Sequence, residues 1–324
     1  MRKIVLTILA MGAACGLAGT AAAETFPSHP VTLIVPFAAG GPSDTVARVV
    51  AQGMSQALGQ SVIVENIGGA AGTIAAARVA RATPDGYTLA EATWSTHVVS
   101  PVVYQHLSYD VLKDFVPVAL LTQTPEVLLS KKTLPANDLH GLIAWLKANP
   151  NAAFQGVAGG TDEVAGYFFK QKTGTQFQYV PYRGLTLAMQ DLVAGRIDLM
   201  FDQPSDALAQ IRAGTIKAYA VMADRRLGVA PEIPTVDEAG LPGVYLSTWQ
   251  AIFAPKGTPD DAIAKLNAAA QTALADPTVR KRLADIAQDV VPRDQQSPAA
   301  LAAFYKSETE KWWPIIKAAG IKAE

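Results

Sequence analysis

Apolar and polar positions along this chain fall into blocks that switch between the strand period and the helix period. The apolar run Val31–Val35 enters a Gly/Pro-rich stretch at 36–43. A helical pattern leaves it, with Val46, Val49, Val50, Met54, Ala57 and Leu58 on one face and Gly59 as a stop. A strand at 61–65, a loop at 66–73, a short helix through Val79, a Pro84-Asp85-Gly86 turn and a strand at 87–92 follow. The middle keeps this rhythm, with strands expected at 153–157, 177–180, 197–201 and 216–222 and helices at 139–147, 163–172, 185–194 and 205–212. The final third reads as helical, and its helices open at Thr258-Pro259, Asp276-Pro277 and Ser297-Pro298. Each pair sets a capping residue before proline at the first helical position, and Asp261 completes a capping box with Thr258. Strands alternating with helices predict an α/β fold of mainly parallel sheets. A chain of 324 residues, 50% hydrophobic, predicts more than one domain.

The amino-terminal block is of another kind. Arg2 and Lys3 precede an apolar run from Ile4 to Leu17 that ends at Ala21-Ala22-Ala23, the layout of a cleaved secretory signal peptide over residues 1–23. Cleavage there leaves 301 residues, 24–324, in which 25 basic side chains face 28 acidic ones, a net charge of −3. That balance offers nothing to nucleic acid or to an anionic membrane surface. The single cysteine, Cys15, lies in the leader, and Gly12 three positions before it does not fit a lipid-attachment signal. The exported chain therefore has no disulfide framework, no thiolate metal site and no cysteine nucleophile. Later apolar runs all fall short of the ~18 residues of a membrane span, so a soluble protein is expected.

Catalytic signatures are missing. There is no GxSxG elbow, HExxH, P-loop or GxGxxG, and His29, His97, His106 and His140 are scattered without metal spacing and read as surface or loop residues. Asp44, Asp198 and Asp202 stand near strand ends without an evident base. Neither a cofactor nor a metal is expected. Ligand-facing loops are present instead. Val35 to Arg48 is a strand–loop–helix unit whose glycines, Gly40 and Gly41, admit close backbone approach and whose Ser43 is a candidate N-cap. The stretches Asn66 to Thr73 and Gly156 to Thr161 repeat the arrangement, and Trp94-Ser95-Thr96 follows another strand. In open α/β sheets, ligands bind beyond the carboxyl ends of the strands. None of these loops contains Lys or Arg, so an anion there would be held by N–H groups, hydroxyls and helix dipoles, which suits reversible capture of a carboxylate.

These blocks resemble the substrate-binding proteins of the tripartite tricarboxylate transporter system, the Bug or TctC-like family. The matching stretches are PFAAGGPSDTVAR from Pro36, ENIGGAAGTIAA from Glu65, PDGYTL from Pro84, STHVVSP from Ser95 and LSYDVLKDFVPVALL from Leu107. They continue with VPYRG from Val180, LVAGRIDLMFDQ from Leu192, PEIPTVDEAGLPG from Pro231 and TWQAIFAPKGTP from Thr248, across nearly the whole mature chain. The resemblance implies a periplasmic two-lobed clamshell, with lobe 1 at 24–122 and 229–324 and lobe 2 at 123–228. Crossing segments are expected near 121–124 and 227–231. It further implies a monomer that closes on a small carboxylate (a di- or tricarboxylate, an acidic amino acid or an aromatic acid) and delivers it to a membrane permease of one large and one small subunit.

Carried over position by position, the resemblance implicates Phe37, Ala39, Gly41, Ser43 and Asp44 in one loop and Ala70, Gly72 and Thr73 in the next. Ser95 and Thr96 come from a third loop, and Gly160, Thr161 and Asp202 from the second lobe, with Asp202 accepting from a ligand hydroxyl or amine. One departure stands out. Where the family has Ser-x-x-His-Leu after the middle glycine loop, this chain has Gly160-Thr161-Asp162-Glu163-Val164. Glu163 adds negative charge near the pocket and disfavours a highly charged ligand, and Trp94 is a candidate aromatic wall or core residue. A sensor that presents its closed form to a membrane histidine kinase, or a periplasmic hydrolase or isomerase on the same fold, are the alternatives.

Overall fold

The structure, a computed structural model, describes residues 25–321 except Gly159; the expected leader and Cys15 lie outside them. The chain forms two α/β layers, each a twisted sheet flanked by helices. The first sheet has the order β11-β4-β10-β3-β1-β2. Its strands are β1 (Val31–Val35), β2 (Val62–Asn66), β3 (Thr88–Thr93), β4 (Phe115–Pro125), β10 (Ser247–Pro255) and β11 (Asp289–Val290). The second sheet has the order β7-β6-β8-β5-β9. It comprises β5 (Val127–Lys131), β6 (Phe154–Val157), β7 (Gln178–Pro181), β8 (Leu199–Asp202) and β9 (Ile216–Val221).

The expected two-lobed α/β architecture is present, but the sheets are mixed rather than mainly parallel. β1 pairs in parallel with β2 and β3, and β6 with β7 and β8. The strands that carry the chain between the sheets and back (β4, β5, β9 and β10) pair antiparallel. A chain that crosses to a second sheet and returns has to reverse direction at the boundary.

Helix α1 (Pro42–Leu58) lays Val46, Val49, Val50 and Met54 on one face of the first sheet, against Leu266, Ala270 and Ala273 of α8 (Asp260–Ala275). The other face is covered by α2 (Thr73–Ala80) and by the long terminal helix α10 (Pro298–Ala319), around Trp94, Trp249 and Trp312. Asp276 and Ser297 cap α9 (Pro277–Asp285) and α10 as expected, accepting from Thr278 N and Val279 N and from Ala300 N. Thr258 does not cap. α8 starts two residues later, and the Thr258 hydroxyl donates to Pro255 O instead.

The sheets exchange the chain at a small ring of backbone hydrogen bonds. Glu126 N donates to Leu246 O at 3.1 Å, Leu246 N to Met222 O at 3.0 Å, and Met222 N to Glu126 O at 2.8 Å. The crossing therefore sits at Glu126 and at Met222 and Leu246, not at 121–124, which is paired β4 strand opposite β10. The run Thr122-Gln123-Thr124-Pro125-Glu126 separates the apolar halves of β4 and β5, and the boundary falls at its far end. A noncovalent tie accompanies the ring: Trp312 of α10 packs edge-on against Phe168 of the second lobe, centroids 5.2 Å apart. Among the described residues no helix is long and apolar enough to cross a membrane.

Candidate functional site

The carboxyl ends of β1, β2 and β3 bring two loops and a helical turn together. The loop after β1 is set by Asp44, both of whose carboxylate oxygens are engaged. Gly40 N (2.8 Å) and Arg48 Nε (2.9 Å) donate to Oδ2 and Asn66 Nδ2 (2.9 Å) donates to Oδ1, while Arg48 Nη2 donates to Asn66 Oδ1 and lies 2.9 Å from Asp44 Oδ1 as an ion pair. Burial works against the charge, but the bonds from Arg48, Gly40 and Asn66 prevail and hold the carboxyl below its usual range. Asn66 also donates to Phe37 O at 3.1 Å, tying the second loop to the first. Asp44 thus positions the loop, with both oxygens held by protein donors. The N-cap of α1 is Gly41, since Pro42 opens the helix, and Ser43 lies buried inside the first turn rather than capping it.

The second loop turns through Ala70 and Ala71, both left-handed at φ 46° and 49°, and reaches α2 through Gly72 at φ 86°. Such strain in non-glycine residues persists where the surroundings enforce it, and it gathers at ligand sites. The surroundings here are tight. A β-carbon on Gly72 would stand 2.6 Å from Thr96 Cγ2 and 2.8 Å from Pro36 Cβ. Thr96 is accordingly floor rather than contact. It is 1% exposed, and its hydroxyl is shared among Thr93 and His97 Nδ1.

The segment after β3 is not a loop but a helix whose first turn, Ser95–Val99, is π-type. One turn of this kind inside a helix recurs at functional sites. It leaves Ser95 half-buried at the cleft. Trp94 points the other way, fully buried, with Nε1 donating to Glu308 Oε2 at 2.9 Å. It is core, not wall. His97 is core as well, contrary to the surface reading. Phe115, Trp249, Phe253 and Tyr305 surround its ring, and burial lowers its pKa to about 3, leaving it neutral.

Across the cleft the second lobe repeats the device of the first. Asp162, in the opening turn of α5 (Thr161–Thr173), accepts from Ala158 N at 2.6 Å and Gly160 N at 3.1 Å, as Asp44 accepts from Gly40 N. A β-carbon at Gly160 would lie 4.0 Å from Ser95 Oγ, so these two walls face each other closely. Between them is a cavity of about 460 Å³ lined by residues that include Ala71, Ser95, Ala158, Glu163, Tyr179 and Tyr182, and by no Lys or Arg. Burial, then the neighbouring Asp162, pushes the Glu163 carboxyl up. Tyr179 presents a buried hydroxyl without a protein partner.

Asp202 ends β8 opposite Val127, beside the crossing residue Glu126. Its Oδ1 accepts from Gln203 N at 2.8 Å, whereas its Oδ2, like Glu126 Oε2, is buried without a partner. Burial, with repulsion from neighbouring acids, drives both carboxyls well above their usual range. The structure thus brings Phe37, Gly41, Ala70, Gly72, Thr73 and Ser95 to one wall and Gly160 and Thr161 to the other, with Ala39 exposed at the loop tip and Asp202 deep at the crossing. The reading of the chain did not single out Glu126, Asp162, Tyr179 or Tyr182. The first two carry a usable signal, an acid beside proline between apolar runs and an acid just after a glycine pair.

The model of the tripartite tricarboxylate transporter family receptor, TctC, matches residues 46–321. The chain belongs to this family. Its members include periplasmic binding proteins and solute-binding proteins of solved structure. A protein of Agrobacterium vitis from the TAR-I ttuE-ttuC' intergenic region is 43% identical over 306 residues, covering 92% of this chain and 87% of its own. MatC (Rpa3494) of Rhodopseudomonas palustris, solved with bound malate, is 40% identical with a TM-score of 0.78, covering 90% of this chain and 100% of that one. Rpa4515 of R. palustris, solved with adipate, is 33% identical with a TM-score of 0.80, covering 92% and 99%. This is a family of periplasmic solute-binding proteins rather than enzymes.

Proposed function

We propose that this TctC-family chain captures a small carboxylate between its two lobes in the periplasm and presents it to a membrane permease of one large and one small subunit. The observation that carries the reading is the pressed junction of the two loops and the helical turn, Gly72 against Pro36 and Thr96, facing Gly160 across Ser95 with no basic side chain lining the cavity. Two helix amino termini, those of α1 and α2, converge there and favour an anion. The malate and adipate held by two relatives of known structure support the ligand class. In this reading the ligand contacts come from Phe37, Ala39, Gly41, Ala70, Thr73, Ser95 and Thr161. Asp44 and Asp162 hold their loops, and Gly72 and Thr96 form the floor. Lobe 1 comprises 25–125 and 247–321, lobe 2 comprises 127–221, and the lobes close about the hydrogen-bonded ring at Glu126, Met222 and Leu246.

Calorimetry and thermal unfolding against a carboxylate panel test the ligand class. A true ligand at 1,000 times its dissociation constant is expected to add about 4 kcal/mol of stability. A panel of mono-, di- and tricarboxylates in which none shifts the unfolding temperature would remove the proposal. A neutral sugar or a basic amino acid that shifted it instead would replace it.

A further inference from the structure

The cleft is electrically uneven from one wall to the other. On the first-lobe side α2 has no acidic residue in its first turn, and the acid of α1, Asp44, is matched by Arg48 at 2.9 Å. Both helix ends keep their attraction for an anion. On the second-lobe side the first turns of α5 and of α7 (Pro204–Arg212) already contain Asp162, Glu163 and Asp206. Glu126 and Asp202 are buried beside them. The termini of α5 and α7 are therefore answered by the protein's own carboxyl groups, whereas the helix Leu185–Val193, which follows Tyr182, has no acid in its first turn. The cation nearest in sequence and charge to Glu163 is Lys170 of the same helix, and its Nζ lies 4.0 Å from the Tyr179 ring centroid and 4.4 Å from that of Phe177. Lys170 is thus engaged with aromatic faces and does not line the cavity. Inside the cavity the polar groups from this wall are the carboxyl of Glu163 and the phenols of Tyr179 and Tyr182. The Tyr182 hydroxyl is already committed to Asp191 at 2.8 Å, and the Tyr179 hydroxyl is buried, so that Tyr179 lines the space with its ring and Glu163 is the polar group left to meet a ligand.

We propose that this cavity receives the far end of the ligand, and that Glu163 selects an end bearing hydrogen-bond donors, a hydroxyl or an ammonium group, over a second carboxylate. The inference rests on the carboxylate reading above and names the ligand class within it: an extended monocarboxylate whose anionic end meets the α1 and α2 termini and whose hydroxyl or amine meets Glu163. A second carboxylate placed there would face Glu163, with Asp162 next to it in the chain and no basic side chain lining the space.

The test uses matched acids of four, five and six carbons in which only the far end changes: the diacid, the terminal hydroxy acid and the terminal amino acid. Isothermal titration of the wild-type protein at neutral pH is expected to give, at the best length, at least tenfold tighter binding of the hydroxy or amino acid than of the diacid, about 1.4 kcal/mol. Glu163→Gln keeps the size of the side chain and removes its charge. That variant is expected to bind the diacid at least fivefold more tightly than wild type does, and the amino acid at least fivefold more weakly. A wild-type preference for the diacid overturns the inference and leaves the carboxylate reading intact. So does a Glu163→Gln variant whose diacid affinity is unchanged, the result expected if a protonated Glu163 donated to the second carboxylate. If the wild-type protein binds no carboxylate of any kind, both readings fall together. The wild-type comparison decides the matter even if the variant folds poorly.

Discussion

Replacing Gly72 with valine is expected to cost the protein about 3 kcal/mol or more of stability. Two effects add. Gly72 sits at φ 86°, where a β-branched residue is strained, and its missing β-carbon would overlap Thr96 Cγ2 at 2.6 Å and Pro36 Cβ at 2.8 Å. Both neighbours are packed beneath the cleft, so relief of the overlap must move the loop after β1, the π-turn, or the strained Ala70-Ala71 pair itself. Carboxylate binding is expected to fail with it, through displaced loops rather than a blocked ligand. Gly40 provides the control, because it shares φ 86° but a β-carbon there meets nothing within 4 Å. Gly40→Ala is therefore expected to show the strain alone, about 1 kcal/mol. Urea unfolding at unchanged slope measures both. A wild-type midpoint for Gly72→Val would mean that the two loops and the helical turn are not pressed together.

The second large effect is expected at Asp44. Its carboxylate receives three hydrogen bonds from three residues, yet only Arg48 among those partners could be spared, being half exposed. Asp44→Ala strands the Gly40 N–H and the Asn66 amide, at a cost of about 2–3 kcal/mol. It also frees the loop that Asn66 ties to Phe37 O. Affinity for the best carboxylate of the panel is expected to fall at least tenfold. Arg48→Ala, an exposed ion-pair partner, is expected to cost less than about 1 kcal/mol. Unfolding midpoints and titrations of the two variants side by side test this. Equal losses would mean that the ion pair, not the carboxylate's hold on the loop, sets its shape.

The parts of the fold that local pattern dictates were legible before the structure. A strand leading through Gly/Pro into Pro42 and an apolar helical face admits few other readings, and β1, α1, β2, α2 and β3 lie within one or two residues of their expected places. The first crossing was legible to within two residues, because the polar run 122–126 separates the apolar halves of 115–131, whereas the return, spread over Met222 to Leu246, was not, since partner choice between sheets is a tertiary matter. Thr258 looked like a cap for the same reason that Asp276 and Ser297 do. Its hydroxyl is taken by the Pro255 carbonyl, a bond that local sequence does not reveal.

Within the candidate site the positions of the loops were readable and the duties of the side chains less so. Asp44 and Thr96 stand in ligand-facing stretches, yet their polar atoms are consumed by neighbours. Trp94 precedes Ser95 by one residue and faces the opposite way, since consecutive residues entering a helix diverge. Glu163 drew notice only as a departure from a family pattern, and its place in a cavity with Tyr179 depends on β7 and α5 lying side by side.

The central claim is that neutral donors of the first-lobe loops, not a basic side chain, hold the ligand's carboxylate. A crystal structure of the wild-type protein with the tightest acid of the panel tests it most directly. Carboxylate oxygens are expected within about 3.2 Å of backbone N–H groups of 37–41 and 70–73 or of the hydroxyls of Thr73 and Ser95. The far end of the ligand is then expected in the cavity by Glu163. A carboxylate paired instead with Arg183, the exposed arginine that follows Tyr182, or a ligand lying outside the cleft, would contradict it.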